Sequence, residues 1–108
     1  MATSASETRQ TALAESVSVT DDELVISLLD GRTLAVPLAW YPRLLHGTSA
    51  ERANWRMIGR GVGIHWPDLD EDISVAHTLA GVPSGENAGS LERWLEARRA
   101  AAQQGNAD

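Results

Sequence analysis

The 108-residue sequence contains no cysteine, no lysine and no phenylalanine. Without cysteine there is no disulfide framework, no thiolate nucleophile and no thiolate zinc site, and the default compartment is a reducing one, the cytoplasm. Without lysine every cationic side chain other than histidine is an arginine. Genomic base composition accounts for that bias more simply than function does, although arginine favours planar, forked contacts to carboxylate or phosphate. Without phenylalanine a small core must be filled by the few large aromatics present, so Trp40, Trp55 and Trp66 read as interior residues. Long apolar runs are also missing. The longest, Leu34 to Tyr41, is interrupted by Pro37 and falls far short of the ~20 residues of a membrane span. The opening "MATSASETRQTALAES" lacks the charged start and apolar stretch of a secretory signal.

What is present indicates one domain. A chain of this length buries only somewhat more than ~60% of its unfolded surface, which favours binding a macromolecule over enclosing a ligand. The net charge of −6 argues against a general nucleic-acid binder, which needs clustered cations. The charges are segregated: Arg43, Arg52, Arg56 and Arg60 accompany only Glu51, whereas Asp68 to Asp72 holds four acids and no base.

Residues 1–13 are small, polar and aperiodic and read as a disordered leader. An α+β domain is expected over residues 14–82. Its first part is an antiparallel meander: "AESVSV" alternates, and "ELVISLLDGRTLAVPL" gives two strands around Asp30-Gly31, a dipeptide suited to a tight hairpin. Pro42 opens a short helical turn, and Ser49 is expected to cap a helix over "AERANWRM" that crosses the sheet. Gly59, Gly61 and Gly63 end that helix and lead into a fourth strand, "GIHW". Ile73 then marks a short strand or turn, Ser74 an N-cap, and Gly81 the stop of a brief helix. Residues 83–108 form a polar linker and a C-terminal amphipathic helix capped by Ser90. Its stripe of Leu91, Trp94, Leu95 and Arg98 must dock on its own domain, on a second copy or on a partner.

The chemical motifs are incomplete. Asp68, Asp70 and Asp72 open a calcium loop, but Ile73 and Leu79 stand where its glycine and glutamate belong, so a solvated acidic turn is the better reading. His46, His65 and His77 lack metal-ligand spacing, and no nucleophile motif accompanies a His65 acid–base pairing with Asp68 or Asp70. "GRGVGI" has Ile64 where a dinucleotide fingerprint needs its third glycine, and it follows a helix. Arg52, Arg56 and Arg60 stand four apart and would share a helical face if that helix reached Arg60. No catalytic, cofactor-binding or metal-ligating residue is expected.

The elements Asp30-Gly31, Trp40 to Leu44, Glu51-Arg52 with Trp55, and Ile64 to Ile73 together resemble the bacterial Domain of Unknown Function 2442 family, over Val25 to Gly81. The resemblance implies a small α+β domain with an antiparallel sheet. Members are often encoded beside a small partner family, Domain of Unknown Function 4160, and are read as antitoxin-like on that basis. Some members carry a helix-turn-helix after this domain. Here there is room for one helix only, so direct DNA binding is not expected.

The sequence therefore predicts an α+β fold: an antiparallel sheet of three to four strands, one or two short helices packed on it, and a C-terminal helix. The expected role is a non-enzymatic protein-interaction module, antitoxin-like or regulatory, whose candidate partners are a protein, in particular a small basic one encoded nearby, and a second copy of the chain, with no membrane contact. Its candidate partner-binding residues are Trp40, Tyr41, Arg43, Arg52, Arg56, Arg60, Leu91, Trp94 and Leu95. The alternative is an anion- or nucleic-acid-binding adaptor built on Arg43, Arg52, Arg56 and Arg60.

Overall fold

The structure, a computed structural model, describes residues 12–106. The leader expected over residues 1–13 falls almost entirely outside the described residues. Leu13 is within them and is already paired, its carbonyl accepting from the Leu29 amide at 2.9 Å.

Three strands form the first antiparallel sheet in chain order: β1 (Ala14–Val19), β2 (Glu23–Leu28) and β3 (Thr33–Pro37). Strand β2 alternates as the pleat requires, turning Leu24, Ile26 and Leu28 into the core. Register places Val17 and Leu34 beside Ile26, and Val19 and Val36 beside Leu24, so one face of the sheet is apolar throughout. The β2–β3 connection is longer than a two-residue hairpin. The Gly31 amide bonds the Leu28 carbonyl at 3.0 Å, the Leu28 amide bonds the Arg32 carbonyl at 2.8 Å, and only Gly31 has positive φ (95°). That is a three-residue loop with a glycine bulge, stiffened by the Asp30–Arg32 ion pair at 2.7 Å.

A 3₁₀ turn at Leu38–Trp40 leads to helix α1 (Pro42–Leu45) and helix α2 (Ser49–Ala53). Thr48, not Ser49, caps α2, through a reciprocal capping box with Glu51. The helix expected to run to Met57 stops at Ala53, and Arg56–Ile58 is strand β4. It pairs with β5 (Gly63–Trp66), which pairs with β6 (Glu71–Ser74), so the strands divide into two three-stranded sheets. Of the glycines expected to stop a helix, Gly59 and Gly61 make the β4–β5 turn and Gly63 opens β5. Gly61 (φ 107°) is required there: its carbonyl accepts from the Ala14 amide at 2.8 Å, joining the two sheets, and a Cβ would overlap the Ala14 backbone.

The second sheet contributes Ile64, Trp66 and Ile73 to the core, where they meet Leu38, Tyr41, Leu44 and Leu69. Ser74 caps helix α3 (Val75–Leu79) as expected, accepting from the His77 amide, and Gly81 closes it. The Val82 amide on the His77 carbonyl and the Gly81 amide on the Thr78 carbonyl complete that stop. Helix α4 spans Ala88–Asn106, its first turn capped by Asn87, whose side chain accepts from the Ser90 amide at 2.7 Å. Among the described residues no helix is long and apolar enough to cross a membrane.

Candidate interaction site

The structure disperses the four arginines. With β4 in place of a helical extension, Arg52, Arg56 and Arg60 share no helical face. Arg52 is internal cement: its Nε and Nη2 donate to the Leu44 and Leu45 carbonyls at 2.8 Å each, satisfying the end of α1. Its own carbonyl accepts from the Trp66 indole at 2.9 Å. Arg43 donates to Glu86 at 2.5 Å and to the Asp70 carbonyl at 3.0 Å, where Asp70 is the one non-glycine described residue with positive φ (50°). Arg56 and Arg60 remain exposed.

Helix α4 docks on its own domain, by charge more than by apolar area. Two guanidinium groups stand over the Trp94 ring, Arg98 at 4.7 Å and Arg43 at 5.2 Å from its centroid. Arg98 grips Glu51 with both arms, at 2.8 and 3.0 Å, and holds the Glu51 carboxyl down at about 2 from its ordinary 4.5. Arg43 likewise lowers Glu86, which also receives the Ser90 hydroxyl. Leu91, Trp94 and Leu95 are half-buried in this arrangement. Trp40 is half-buried as well, its carbonyl accepting from the Ser84 amide at 3.1 Å and so fixing the linker.

A different region lies around β6 and α3. Two depressions meet at Asp72, Ile73, Ser74 and His77. One is a polar cleft of about 220 Å³ between β6 and the Val82–Gly85 segment, with Tyr41 and Glu71 in its wall. Tyr41 is buried there and donates to Thr78 Oγ1 at 2.7 Å, since the Thr78 hydroxyl itself donates to the Ser74 carbonyl at 2.9 Å. Glu71 Oε1 accepts from the Asp72 amide at 3.0 Å, while its Oε2 is buried with no partner among the described residues. Desolvation pushes this carboxyl up to about 7, against the Asp72 amide and the Arg43 charge, which oppose the rise.

The other depression is a groove of about 400 Å³ lined by Ile58, Val62, Gly63 and Ile73. Ile58 is 40% and Val62 55% exposed, large values for such side chains side by side. Sequence reasoning missed Ile58, Val62, Glu71 and His77. The helical reading of residues 50–57 hid the strand signal of Arg56–Ile58, and Glu71 was absorbed into the acidic stretch.

The acidic stretch is divided among separate partners. Asp68 accepts from Asn54 Nδ2 at 2.9 Å, Asp70 faces Arg43 at 3.5 Å, and Asp72 pairs across the strands with His65 Nδ1, so the three carboxylates serve three different partners.

Two solved structures resemble this one. A protein of unknown function from Rhodospirillum rubrum ATCC 11170 is 24% identical, covering 68% of this chain and 92% of its own, with a TM-score of 0.59. The solution structure of uncharacterized protein CV0863 from Chromobacterium violaceum is 20% identical, covering 77% and 83%, with a TM-score of 0.61. At these identities the likeness is one of fold. No curated protein matches the chain. The family model described as "Protein of unknown function (DUF2442)" matches residues 14–84, both sheets and the three short helices between β1 and the linker, and the chain belongs to that family.

Proposed function

We propose that the protein is a non-enzymatic interaction module, antitoxin-like or regulatory, that acts by binding a partner protein. The observation that carries this reading is the open groove at Ile58 and Val62, contiguous with a polar cleft along β6. An apolar patch rimmed by polar groups suits a macromolecular surface. The adaptor alternative is left with Arg56 and Arg60, because Arg43 and Arg52 are committed to internal carboxylates and carbonyls. The antitoxin-like character rests on the family resemblance and the gene neighbourhood that accompanies it.

The test is a titration of the full chain with the purified product of the gene beside its own, followed by calorimetry, and in parallel with duplex DNA over a range of salt. The expected result is a protein–protein complex with a dissociation constant of about 1 μM or lower. Binding to DNA whose affinity falls steeply with salt, with no protein complex, would overturn the proposal.

A further inference from the structure

Strand β6 lies at the border of the second sheet, and its pairing parity determines what its outer edge offers. The Val75 amide bonds the Val62 carbonyl at 3.0 Å, which makes 62/75 a hydrogen-bonded pair. Antiparallel pairs alternate, so Ile64/Ile73 and Trp66/Glu71 bond in turn, while Asp72 and Ser74 direct their backbone groups away from β5. Of these outward groups, the Asp72 amide is held by Glu71 Oε1 and the Ser74 carbonyl by the Thr78 hydroxyl. The Asp72 carbonyl and the Ser74 amide have no backbone partner among the described residues.

Beside this edge lie the apolar groove and the acidic turn, where the side chains of Asp70 and Asp72 are 89% and 68% exposed. An exposed strand edge is a template for another strand, and the side chains of an added strand alternate between faces. We propose that the outer edge of β6 receives an extended, basic segment of a partner protein, which adds to the second sheet with an apolar side chain in the Ile58–Val62 groove and a cationic one over Asp70 and Asp72. The inference rests on the interaction reading above and names the partner's chemistry. Charge selects this occupant. Two copies joined edge to edge through β6 would bring their Glu71–Asp72 segments together and repel, whereas a basic strand is attracted. Glu71 acts as a plug on this edge, covering one amide until a partner's carbonyl replaces it.

The experiment places a photo-reactive benzoylphenylalanine at Val62, and separately at Leu29, an exposed residue of the β2–β3 loop, in the full chain expressed in its own host. Cross-linked peptides are sequenced by mass spectrometry. The expected result is a Val62 adduct to a segment richer in arginine and lysine than in acids, with little at Leu29. Asp72→Asn, which keeps an acceptor for His65, should lower its yield by roughly threefold, and Asp72→Arg by tenfold or more. Three results would overturn the proposal: a Val62 adduct to a second copy, to nucleic acid or to an acidic segment; a Val62 adduct indifferent to Asp72→Arg; or adducts at Leu29 alone. The last leaves the interaction reading standing, since a protein is then bound elsewhere. Absence of adducts at both positions, together with no complex in calorimetry, removes both.

Discussion

Replacing Glu71 with Gln should make the protein more stable at pH 8 and leave it unchanged near pH 4.5. The Glu71 carboxyl is raised from 4.5 to about 7, first by desolvation and then by Glu86 and Asp72, with the Asp72 amide and Arg43 opposing. Below the unfolded value both states hold the proton and there is no penalty. Between 4.5 and about 7 the unfolded chain ionises while the folded one keeps its proton, so stability falls as pH rises; above about 7 the penalty is complete. At 1.36 kcal/mol for each unit the ceiling is roughly 3 kcal/mol. Glu71 is only partly buried, and solvent screening brings the expected penalty to about 1–2 kcal/mol. Glutamine keeps the acceptor for the Asp72 amide and has no charge to bury. The Glu71→Gln advantage should thus grow from nothing at pH 4.5 to about 1–2 kcal/mol at pH 8, which is on the order of 5–10 °C in melting temperature. Urea melts of both proteins at five pH values give this difference directly, and titrations common to both cancel. A gain that is equal at pH 5 and pH 8, or a loss at pH 8, would refute the reasoning.

Trp66→Ala should cost about 3–5 kcal/mol, because the side chain is fully buried and its indole bonds the Arg52 carbonyl. Trp55→Ala, at a half-buried position, should cost clearly less in the same denaturant melts. Gly61→Ala should destabilise by about 2 kcal/mol or more, since positive φ and the Ala14 backbone both resist a Cβ; a melt within 0.5 kcal/mol of wild type would show that the junction between the sheets yields. Arg98→Ala should release α4 while the two sheets stay folded, seen as faster amide exchange in the helix and a change in Trp94 fluorescence. Acid should do the same. Glu51 is depressed to about 2 from 4.5, so its contribution is present above pH 4.5 and lost as pH falls towards 2; helix protection factors, corrected for the intrinsic exchange rate, that are unaltered between pH 6 and pH 3 would contradict this.

Much of this protein was determined locally, where a few neighbouring residues settle the backbone. The alternation of Leu24, Ile26 and Leu28 makes β2 whatever surrounds it, Gly31 and Gly81 end their elements because few residues tolerate their φ, and Ser74 caps α3 with its own hydroxyl. Where local signals competed, distant contacts chose. "AERANWRM" reads as a helix from its local pattern, but pairing with Gly63–His65 makes strand of Arg56–Ile58 and so moves Arg56 and Arg60 off any helical face. Spacing in the chain made the arginines look like a patch, whereas the fold assigns Arg52 to the end of α1 and Arg43 to Glu86, because a cation near buried carbonyls or a carboxylate gains more there than in water. The groove at Ile58 and Val62 and the buried carboxyl of Glu71 exist only once separate segments come together, and no local pattern can encode a shape made by several of them.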